Sequence, residues 1–179
     1  MEYRKLPKGT EEFSVIGFGG SGIHEAGEKE GVETILKAME SGVNYFDLAV
    51  SEAVAFDYYR TAFAGNCDKV CLQMHFGADY SSGKYGWTTK KDQIVSGMDW
   101  LLKKLNTDYI DFGFIHCIDE PSDLKKYLEG GALEHIQELK KQGAKLAVLS
   151  NKPDANTKNV IRTVFPEEGL FDWVQGQSG

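Results

Sequence analysis

The feature that most constrains the fold is a regular alternation of short apolar segments with longer segments of helical periodicity. Apolar runs of strand length recur along the chain, at residues 13–18, 43–48, 69–76, 109–118, 145–149 and 171–175. Between these runs the apolar residues stand three or four apart, as Val32, Ile35, Leu36 and Met39 do, and this is the spacing of an amphipathic helix. Because strands joined through helices normally pair in parallel, the pattern predicts an α/β fold.

The number of strand-like segments limits which α/β architecture the chain forms. A closed TIM-type (β/α) barrel needs eight strands and usually about 250 residues, whereas this chain of 179 residues offers six. We therefore predict one domain, residues 1–179, that forms the N-terminal portion of such a barrel with about six of its eight strands. The alternative is a complete six-stranded doubly wound sheet. It is less favoured because Gly17–Gly22 does not lead straight into a helix, as a dinucleotide-binding turn does.

Composition and charge argue against several functional classes. The chain is 41% hydrophobic and 26% charged, as expected of a globular protein. Its net charge is -7 and no cluster of lysine and arginine stands out, so a nucleic-acid partner is not expected. No apolar stretch approaches the roughly 20 residues of a membrane span, and the polar N-terminus is unlike a signal peptide. We predict a cytoplasmic protein that does not bind membranes.

Five segments occur in an order that is informative as a set, although each alone is weak. They are Tyr3–Leu6, Val15–Gly19, Gly42–Asp47, Leu105–Asp111 and Leu149–Asn151. This ordered set resembles the aldo-keto reductase family, in which the corresponding segments form the opening hairpin, the first and second strands, the fourth helix–strand junction and the end of the fifth strand. Members of the family close their barrel with two further strands.

Two shorter segments resemble one bacterial subgroup of this family. They are Leu72–His75 and Gly83–Tyr85. Members of the subgroup often carry a C-terminal ferredoxin-like segment with a 4Fe–4S cluster. This chain contains three cysteines without the spacing of such a cluster. The resemblance therefore implies a 4Fe–4S cluster only if a C-terminal segment is missing from this sequence.

The resemblance implies reduction of a carbonyl compound with NADPH by an aspartate, a tyrosine, a lysine and a histidine. Asp47 matches the aspartate and His116 matches the histidine. Residues 48–52 contain no tyrosine, and Ser51 or Glu52 stands at about the place of the catalytic tyrosine. His75 stands at the lysine position. The chain therefore carries an altered tetrad, with the tyrosine absent and the lysine replaced by histidine.

The three matched residues Asp47, His75 and His116 end successive predicted strands. The ends of parallel barrel strands converge on one mouth, so we expect these side chains to be near neighbours. In one interpretation His75, held by Asp47, gives a proton to a carbonyl oxygen and His116 helps to bind that oxygen. In a second, the two histidines and the carboxylate bind iron or zinc. In a third, the polar groups only satisfy one another's hydrogen bonds.

The resemblance also points to residues that would contact the cofactor. Ser150, Asn151 and Gln175 match hydrogen-bond partners of the nicotinamide amide, and the backbone near Gly20 and Ser21 would line the same pocket. NADP(H) is thus the implied cofactor. In the family its adenosine phosphate is held by strands seven and eight, so the resemblance does not imply tight NADP(H) binding by these six strands alone.

Two hypotheses about function follow. The first is an oxidoreductase that acts on a small carbonyl compound or an electron carrier, and the second is a catalytically inactive or regulatory barrel used for binding or assembly. Residues 77–88, rich in Gly, Ser and Tyr, form either a functional loop at the barrel mouth or a surface connection. Because six strands leave the sheet edges open, we also expect an oligomer or a complementing chain.

Overall fold

The computed structural model describes residues 1–6, 9–115, 118, 120–165 and 169–177. The chain divides into two compact units, residues 1–130 and residues 131–179. Each unit contains its own parallel strands. That residues 1–179 form one domain stays a prediction.

The first unit alternates strands and helices from the N-terminus onward. Its elements in chain order are β1 (Tyr3–Lys5), β2 (Glu12–Ser14), β3 (Phe18–Gly19), α1 (Gly27–Glu40), β4 (Tyr45–Asp47), α2 (Ala55–Phe63), β5 (Cys71–Phe76), β6 (Ala78–Asp79), β7 (Gly86–Trp87), α3 (Lys91–Leu105), β8 (Phe112–Ile115) and α4 (Pro121–Glu129). Short 3₁₀ helices precede α1 and β5, at Ile23–Ala26 and Cys67–Lys69.

The main sheet of the first unit has four parallel strands in the order β3-β4-β5-β8. The strands are thus neighbours in the order in which the chain reaches them, with α1, α2 and α3 among the crossovers. A doubly wound sheet reverses its strand order at a switch point, whereas a barrel does not. The observed order therefore favours the predicted barrel architecture over the doubly wound alternative.

The prediction of one continuous first strand over residues 13–18 is wrong. Strand β2 ends at Ser14 and pairs back antiparallel with β1, and only Phe18–Gly19 joins the parallel sheet. Ser14 explains the break, because its backbone N–H donates to Asn44 Oδ1 at 2.8 Å and its hydroxyl donates to the carbonyl of Ile16 at 2.8 Å. These bonds turn the chain out of one strand before it enters the next.

Alternation along β4 and β5 separates an apolar face from a polar one. Phe46, Leu72 and Met74 are buried in the core that the helices cover. Successive side chains of a strand point to opposite faces, so the intervening residues lie on the other face of the sheet. The largest fully buried side chains of the chain are Tyr59, Phe46, Phe56, Ile35, Leu72 and Val50. Burial of the apolar face therefore stabilises the sheet, and polar side chains of β4 and β5 lie on the opposite face.

The second unit contains α5 (Ala132–Lys141), β9 (Ala147–Pro153), α6 (Asp154–Val164) and β10 (Trp173–Gln177). Strand β10 pairs in parallel with β9, and Gln175 lies opposite Leu149. Gly176 has no room for a side chain, since a Cβ there would lie 2.5 Å from the Cα of Asp154 and 2.6 Å from the carbonyl oxygen of Lys152. Close approach of backbone to backbone thus packs β10 against the junction of β9 and α6.

The six parallel strands β3, β4, β5, β8, β9 and β10 correspond to the six predicted segments. The helices between them also begin and end near the predicted positions. In the part of the chain that the structure describes, no helix has both the length and the apolar character that a membrane crossing requires.

Candidate active site

The candidate site of the first unit lies on the polar face of the β4–β5 pair. Asp47 lies opposite Gln73 in the register, and Tyr45 lies opposite Cys71. His75 follows Gln73 by two residues, so it shares that face. Tyr45, Asp47, Gln73 and His75 thus come together because they occupy alternate positions of two adjacent parallel strands.

Asp47 and His75 are in direct contact, as expected from their places at the ends of successive strands. Nε2 of His75 lies 3.0 Å from Oδ1 of Asp47. The side chain of His75 is 16% exposed and that of Asp47 is 38% exposed. Solvent or a small molecule can therefore reach the carboxylate side of the pair, while the imidazole is largely enclosed.

The carboxylate of Asp47 is held in its ionised form by its neighbours. Burial alone would raise the pKa of Asp47, but hydrogen bonds from His75, from the backbone N–H of Ala49 and from Gln73 outweigh it. The pKa of Asp47 is therefore lowered from its ordinary value. The bond from the Ala49 N–H measures 3.0 Å. Asp47 thus offers the imidazole a charged hydrogen-bond acceptor.

Two further polar residues extend the network, and the sequence did not single them out. Nε2 of Gln73 lies 2.8 Å from Nε2 of His75, and Oε1 of Gln73 accepts a hydrogen bond from the hydroxyl of Tyr45. Burial, with the nearby acidic groups of Cys71 and Asp47, raises the pKa of Tyr45 to about 12. Tyr45 thus remains a hydroxyl donor at neutral pH. The signal that would have found both residues is their spacing, two positions before His75 and Asp47.

The third expected member of the site, His116, lies outside the described residues, so the structure does not test its place. The metal hypothesis for Asp47, His75 and His116 is therefore open. Within the described ranges no group of three or more His, Cys, Asp or Glu side chains is arranged to hold a metal ion.

The segment that follows β4, where the resemblance expects a tyrosine, is held by residues of the loop 77–88. The hydroxyl of Tyr80 donates to the carbonyl of Val50 and accepts the N–H of Val50, both at 3.0 Å. The N–H of Ala53 donates to the carbonyl of Gly83 at 2.9 Å, and Glu52 forms an ion pair with Lys84 at 3.6 Å. The loop therefore lies against residues 50–53, and its role as a functional loop or a surface connection stays a prediction.

The two tyrosines of α2, Tyr58 and Tyr59, are buried. The ring of Tyr59 packs against Phe18, Phe46 and Phe63, on the apolar face of the sheet. Its hydroxyl is fully buried beside Gly20, where an added Cβ would lie 2.2 Å from the hydroxyl oxygen. Tyr59 is therefore a core residue whose hydroxyl lies next to Gly20.

The residues expected to contact a nicotinamide amide fall in both units. In the second unit Ser150, Asn151 and Gln175 line a cavity of about 270 Å³ together with Leu149 and Gly176. In the first unit Gly20 is buried and Ser21 is exposed in the turn after β3. The structure thus brings Ser150, Asn151 and Gln175 together around one cavity, and it places Gly20 and Ser21 at the end of the first barrel strand.

The polar side chains of that cavity suit an amide ligand. Asn and Gln offer both a donor and an acceptor, and the hydroxyl of Ser offers either. The N–H₂ of Gln175 also donates to the carbonyl of Gly176 at 2.9 Å. The cavity is smaller than the roughly 300–1,000 Å³ usual for small-molecule sites.

Comparison with known proteins places these features in a family. Residues 15–160 match the model of the Aldo/keto reductase family. Two curated relatives are the L-glyceraldehyde 3-phosphate reductases of Escherichia coli O157:H7 and of Escherichia coli strain K12, each 24% identical, over 185 and 172 residues respectively. These matches cover 97% and 89% of this chain but 50% and 48% of the relatives. The chain thus spans about half the length of the curated relatives it matches.

Solved structures with the same fold include an aldo-keto reductase from Bacillus halodurans in its holo form. It is 23% identical with a TM-score of 0.66, and the match covers 99% of this chain and 58% of that one. A thermostable aldo-keto reductase in complex with the inhibitor epalrestat is 18% identical with a TM-score of 0.60, covering 99% of this chain and 63% of that one. This likeness shows the fold, which is an incomplete TIM-type (β/α) barrel, as predicted.

Proposed function

The chain belongs to the aldo/keto reductase family, and from this premise we propose that it reduces a small carbonyl compound with NADPH through an altered tetrad. The observation that carries the proposal is the contact of Asp47 with His75, 3.0 Å between Oδ1 and Nε2, at the places of the family's aspartate and lysine. The proposal assigns to His75 the work of both the absent tyrosine and the absent lysine.

The pair supplies what carbonyl reduction needs from the protein, which is a proton at the carbonyl oxygen. NADPH, when bound, supplies the hydride that forms the new C–H bond at the carbonyl carbon. His75 in its imidazolium form gives one proton to the oxygen, so that the carbonyl becomes an alcohol and the imidazole becomes neutral. Asp47 accepts a hydrogen bond from the imidazole and so holds the orientation of the ring. Solvent then returns the proton to His75.

The cavity of the second unit supports the nicotinamide part of the proposal. Ser150, Asn151 and Gln175 provide the donors and acceptors that a carboxamide requires. Gly20 and Ser21 belong to the first unit, and their role in cofactor binding stays a prediction.

The substrate class proposed is a short aldehyde. It follows from the names of the curated relatives, which are L-glyceraldehyde 3-phosphate reductases. The exposure of the Asp47 carboxylate supports access for a small carbonyl compound. A panel of phosphorylated and unphosphorylated three-carbon aldehydes is therefore the first choice for an assay.

The experiment that tests the proposal measures NADPH binding and NADPH oxidation by the purified chain. Binding is followed by fluorescence titration, and oxidation by the loss of nicotinamide absorbance with each aldehyde. A positioned general acid contributes about 10²–10⁴-fold, so we expect kcat/KM of His75→Gln to fall by at least about 10²-fold. His135→Gln, which changes a histidine of α5 paired with Glu138 at 3.7 Å, is the matched control.

Three results would count against this assignment. If His75→Gln keeps full activity, the imidazole is not the proton donor. If His135→Gln loses as much activity as His75→Gln, the loss does not report on the site. If NADPH does not bind at millimolar concentration, the alternative of a non-catalytic barrel used for binding or assembly takes precedence for this chain.

A further inference from the structure

Gln73 lies at the centre of the polar face and forms side-chain hydrogen bonds with three of its members, Tyr45, His75 and Asp47. Its oxygen accepts from the hydroxyl of Tyr45, and its nitrogen lies 2.8 Å from Nε2 of His75. Gln73 itself is buried, with 4% exposure. An amide this enclosed is held in one orientation by the partners that it meets.

The hydroxyl of Tyr45 determines which end of the amide faces the imidazole. Burial raises the pKa of Tyr45 to about 12, so the phenol keeps its proton and donates it. In the structure the hydroxyl donates to the carbonyl oxygen of Gln73, which leaves the N–H₂ group facing His75. A carboxamide N–H₂ is a donor and has no useful acceptor. The ring nitrogen that it meets must therefore be an acceptor when the imidazole is neutral.

The same ring nitrogen also faces Asp47, at 3.0 Å. A carboxylate only accepts hydrogen bonds. When Nε2 of His75 carries a proton, it can donate a hydrogen bond to Asp47. When Nε2 carries no proton, it can accept a hydrogen bond from the N–H₂ group of Gln73. The two partners stabilise opposite states of one nitrogen.

We propose that Gln73, oriented by Tyr45, is a positioning residue that selects the neutral tautomer of His75 with its proton on Nδ1. The inference rests on the proposed function and deepens it, because it makes Nε2 the atom that takes up and gives up the proton. Asp47 holds the proton on Nε2 before it is transferred to the carbonyl oxygen. After the transfer, the N–H₂ of Gln73 donates to the vacated lone pair and stabilises the neutral ring.

The tautomer can be measured directly, without cofactor or substrate. In chain labelled with ¹⁵N at histidine, the chemical shifts of Nδ1 and Nε2 of His75 report which nitrogen carries the proton at a pH where the ring is neutral. The His75 signals are assigned by their loss in His75→Gln. We expect the Nδ1–H tautomer to predominate in the unmodified chain, which is opposite to what a ring paired with Asp47 alone would adopt.

Two variants remove the contact from either side. Gln73→Met keeps the side-chain length but deletes the amide, so that Nε2 still faces Asp47 but no longer faces an N–H₂ donor. Tyr45→Phe frees the amide to turn its oxygen towards Nε2. Loss of one net hydrogen bond corresponds to about fivefold, so each variant should move the tautomer ratio towards Nε2–H by at least about fivefold. Tyr45→Phe removes only one hydroxyl, so the tautomer ratio can still be tested with this variant if Gln73→Met does not fold.

Matched controls exist for both changes. Gln93→Met removes an exposed glutamine that accepts from Thr88, and Tyr109→Phe removes a hydroxyl that donates to the carbonyl of Cys67 at 3.0 Å. Neither should move the tautomer ratio of His75. The inference is wrong if the unmodified chain shows mainly Nε2–H, or if neither Gln73→Met nor Tyr45→Phe changes the ratio.

These outcomes are separable from those of the proposed function. A chain that never oxidises NADPH but shows the expected tautomers would leave the role of Gln73 intact and remove the reductase. A chain whose activity depends on His75 but whose neutral ring carries its proton on Nε2 would keep the reductase and remove the role of Gln73. In an active chain, Gln73→Met should also lower kcat more than it changes KM, because it acts on proton transfer rather than on binding.

Discussion

The two units hold their strands by different physical means. The first unit buries a cluster of large side chains between the sheet and the helices, among them Ile35, Phe46, Phe56, Tyr59 and Leu72. In the second unit the buried positions among the described residues are Ala132, Thr157, Leu170 and Gly176. Leu149 of β9 is 72% exposed. The first unit is thus stabilised mainly by apolar burial, and the second has little of it.

In the second unit two aspartates form hydrogen bonds and ion pairs that link its strands and helices. Asp154 accepts the N–H of Gly176 at 3.0 Å and pairs with Lys158 at 2.6 Å. Asp172 accepts the N–H of Leu146 at 2.8 Å and pairs with Lys140 at 2.9 Å. Exposed ion pairs contribute little because water and salt screen them. We therefore expect the second unit to open locally at a lower free energy than the first.

This difference bears on the proposed function. The Asp47–His75 pair, for which a role in proton transfer is proposed, belongs to the unit with the larger core, whereas the cavity of Ser150, Asn151 and Gln175 belongs to the weaker unit. Proton transfer needs fixed distances, and a rigid sheet provides them. Binding of a cofactor can in turn stabilise the unit that it occupies. The contrast predicts that mutations act very differently in the two units.

The largest expected effect is the loss of a core aromatic in the first unit. Phe46→Ala removes a fully buried ring that contacts Phe18, Tyr59 and Phe63. A change of this kind costs about 3–5 kcal/mol of unfolding free energy. Leu149→Ala is the counterpart in the second unit, and an exposed side chain should cost no more than about 0.5 kcal/mol. Denaturant unfolding followed by circular dichroism measures both, and equal costs would remove the contrast.

The sequence predicts the fold well where one local pattern decides the outcome. Helical spacing and apolar runs located five of the six parallel strands, since burial against helices requires that pattern. The first strand was wrong because Ser14 and Asn44, thirty residues apart, exchange hydrogen bonds. The contact of Tyr80 with Val50 is equally distant in sequence. Such contacts leave no periodic signal.

The candidate site shows the same division. Asp47 and His75 were expected to meet because parallel strand ends converge, and the structure places them in contact. Gln73 and Tyr45 were missed, although alternation puts them on the same face as the pair. Gln73 and Tyr45 can be recognised as site residues only when the register of β4 and β5 is known, because the register shows which side chains of the two strands share the polar face.

The second effect, of intermediate size, concerns backbone packing in the weaker unit. Gly176→Ala places a Cβ 2.5 Å from the Cα of Asp154, and no flexible side chain can yield to relieve that contact. Overpacking of this kind costs about 1–3 kcal/mol. Amide hydrogen exchange should accelerate in β9, β10 and α6 and stay unchanged in β4 and β5. Gly22→Ala is the control, since an added Cβ there meets nothing within 4 Å. Faster exchange throughout both units would show that they unfold together.

The smallest expected effect is the pH dependence that Asp172 gives to the second unit. Hydrogen bonds from the Leu146 N–H and from Lys140 lower the pKa of Asp172 from its ordinary value of 3.8. Because the folded pKa lies below the unfolded one, the stabilisation is fully present above about pH 4 and is lost as the pH falls through the folded value. Asp172→Asn keeps an oxygen that can accept from Leu146 but loses the charge that attracts Lys140.

Protection of the second unit against hydrogen exchange should therefore differ between Asp172→Asn and the unmodified chain at pH 6, and the difference should shrink towards pH 3. Added salt should shrink it at pH 6 as well, because the ion pair is exposed. Asp108→Asn, which changes an exposed carboxylate of the first unit, should leave that protection unchanged at either pH. A difference that persists undiminished at pH 3 would mean that Asp172 acts through hydrogen-bond geometry and not through its charge. Neutral hydrogen bonds, and not ion pairs, would then stabilise the strand pairing of the second unit. The two units would differ in how much apolar surface they bury and not in their electrostatics.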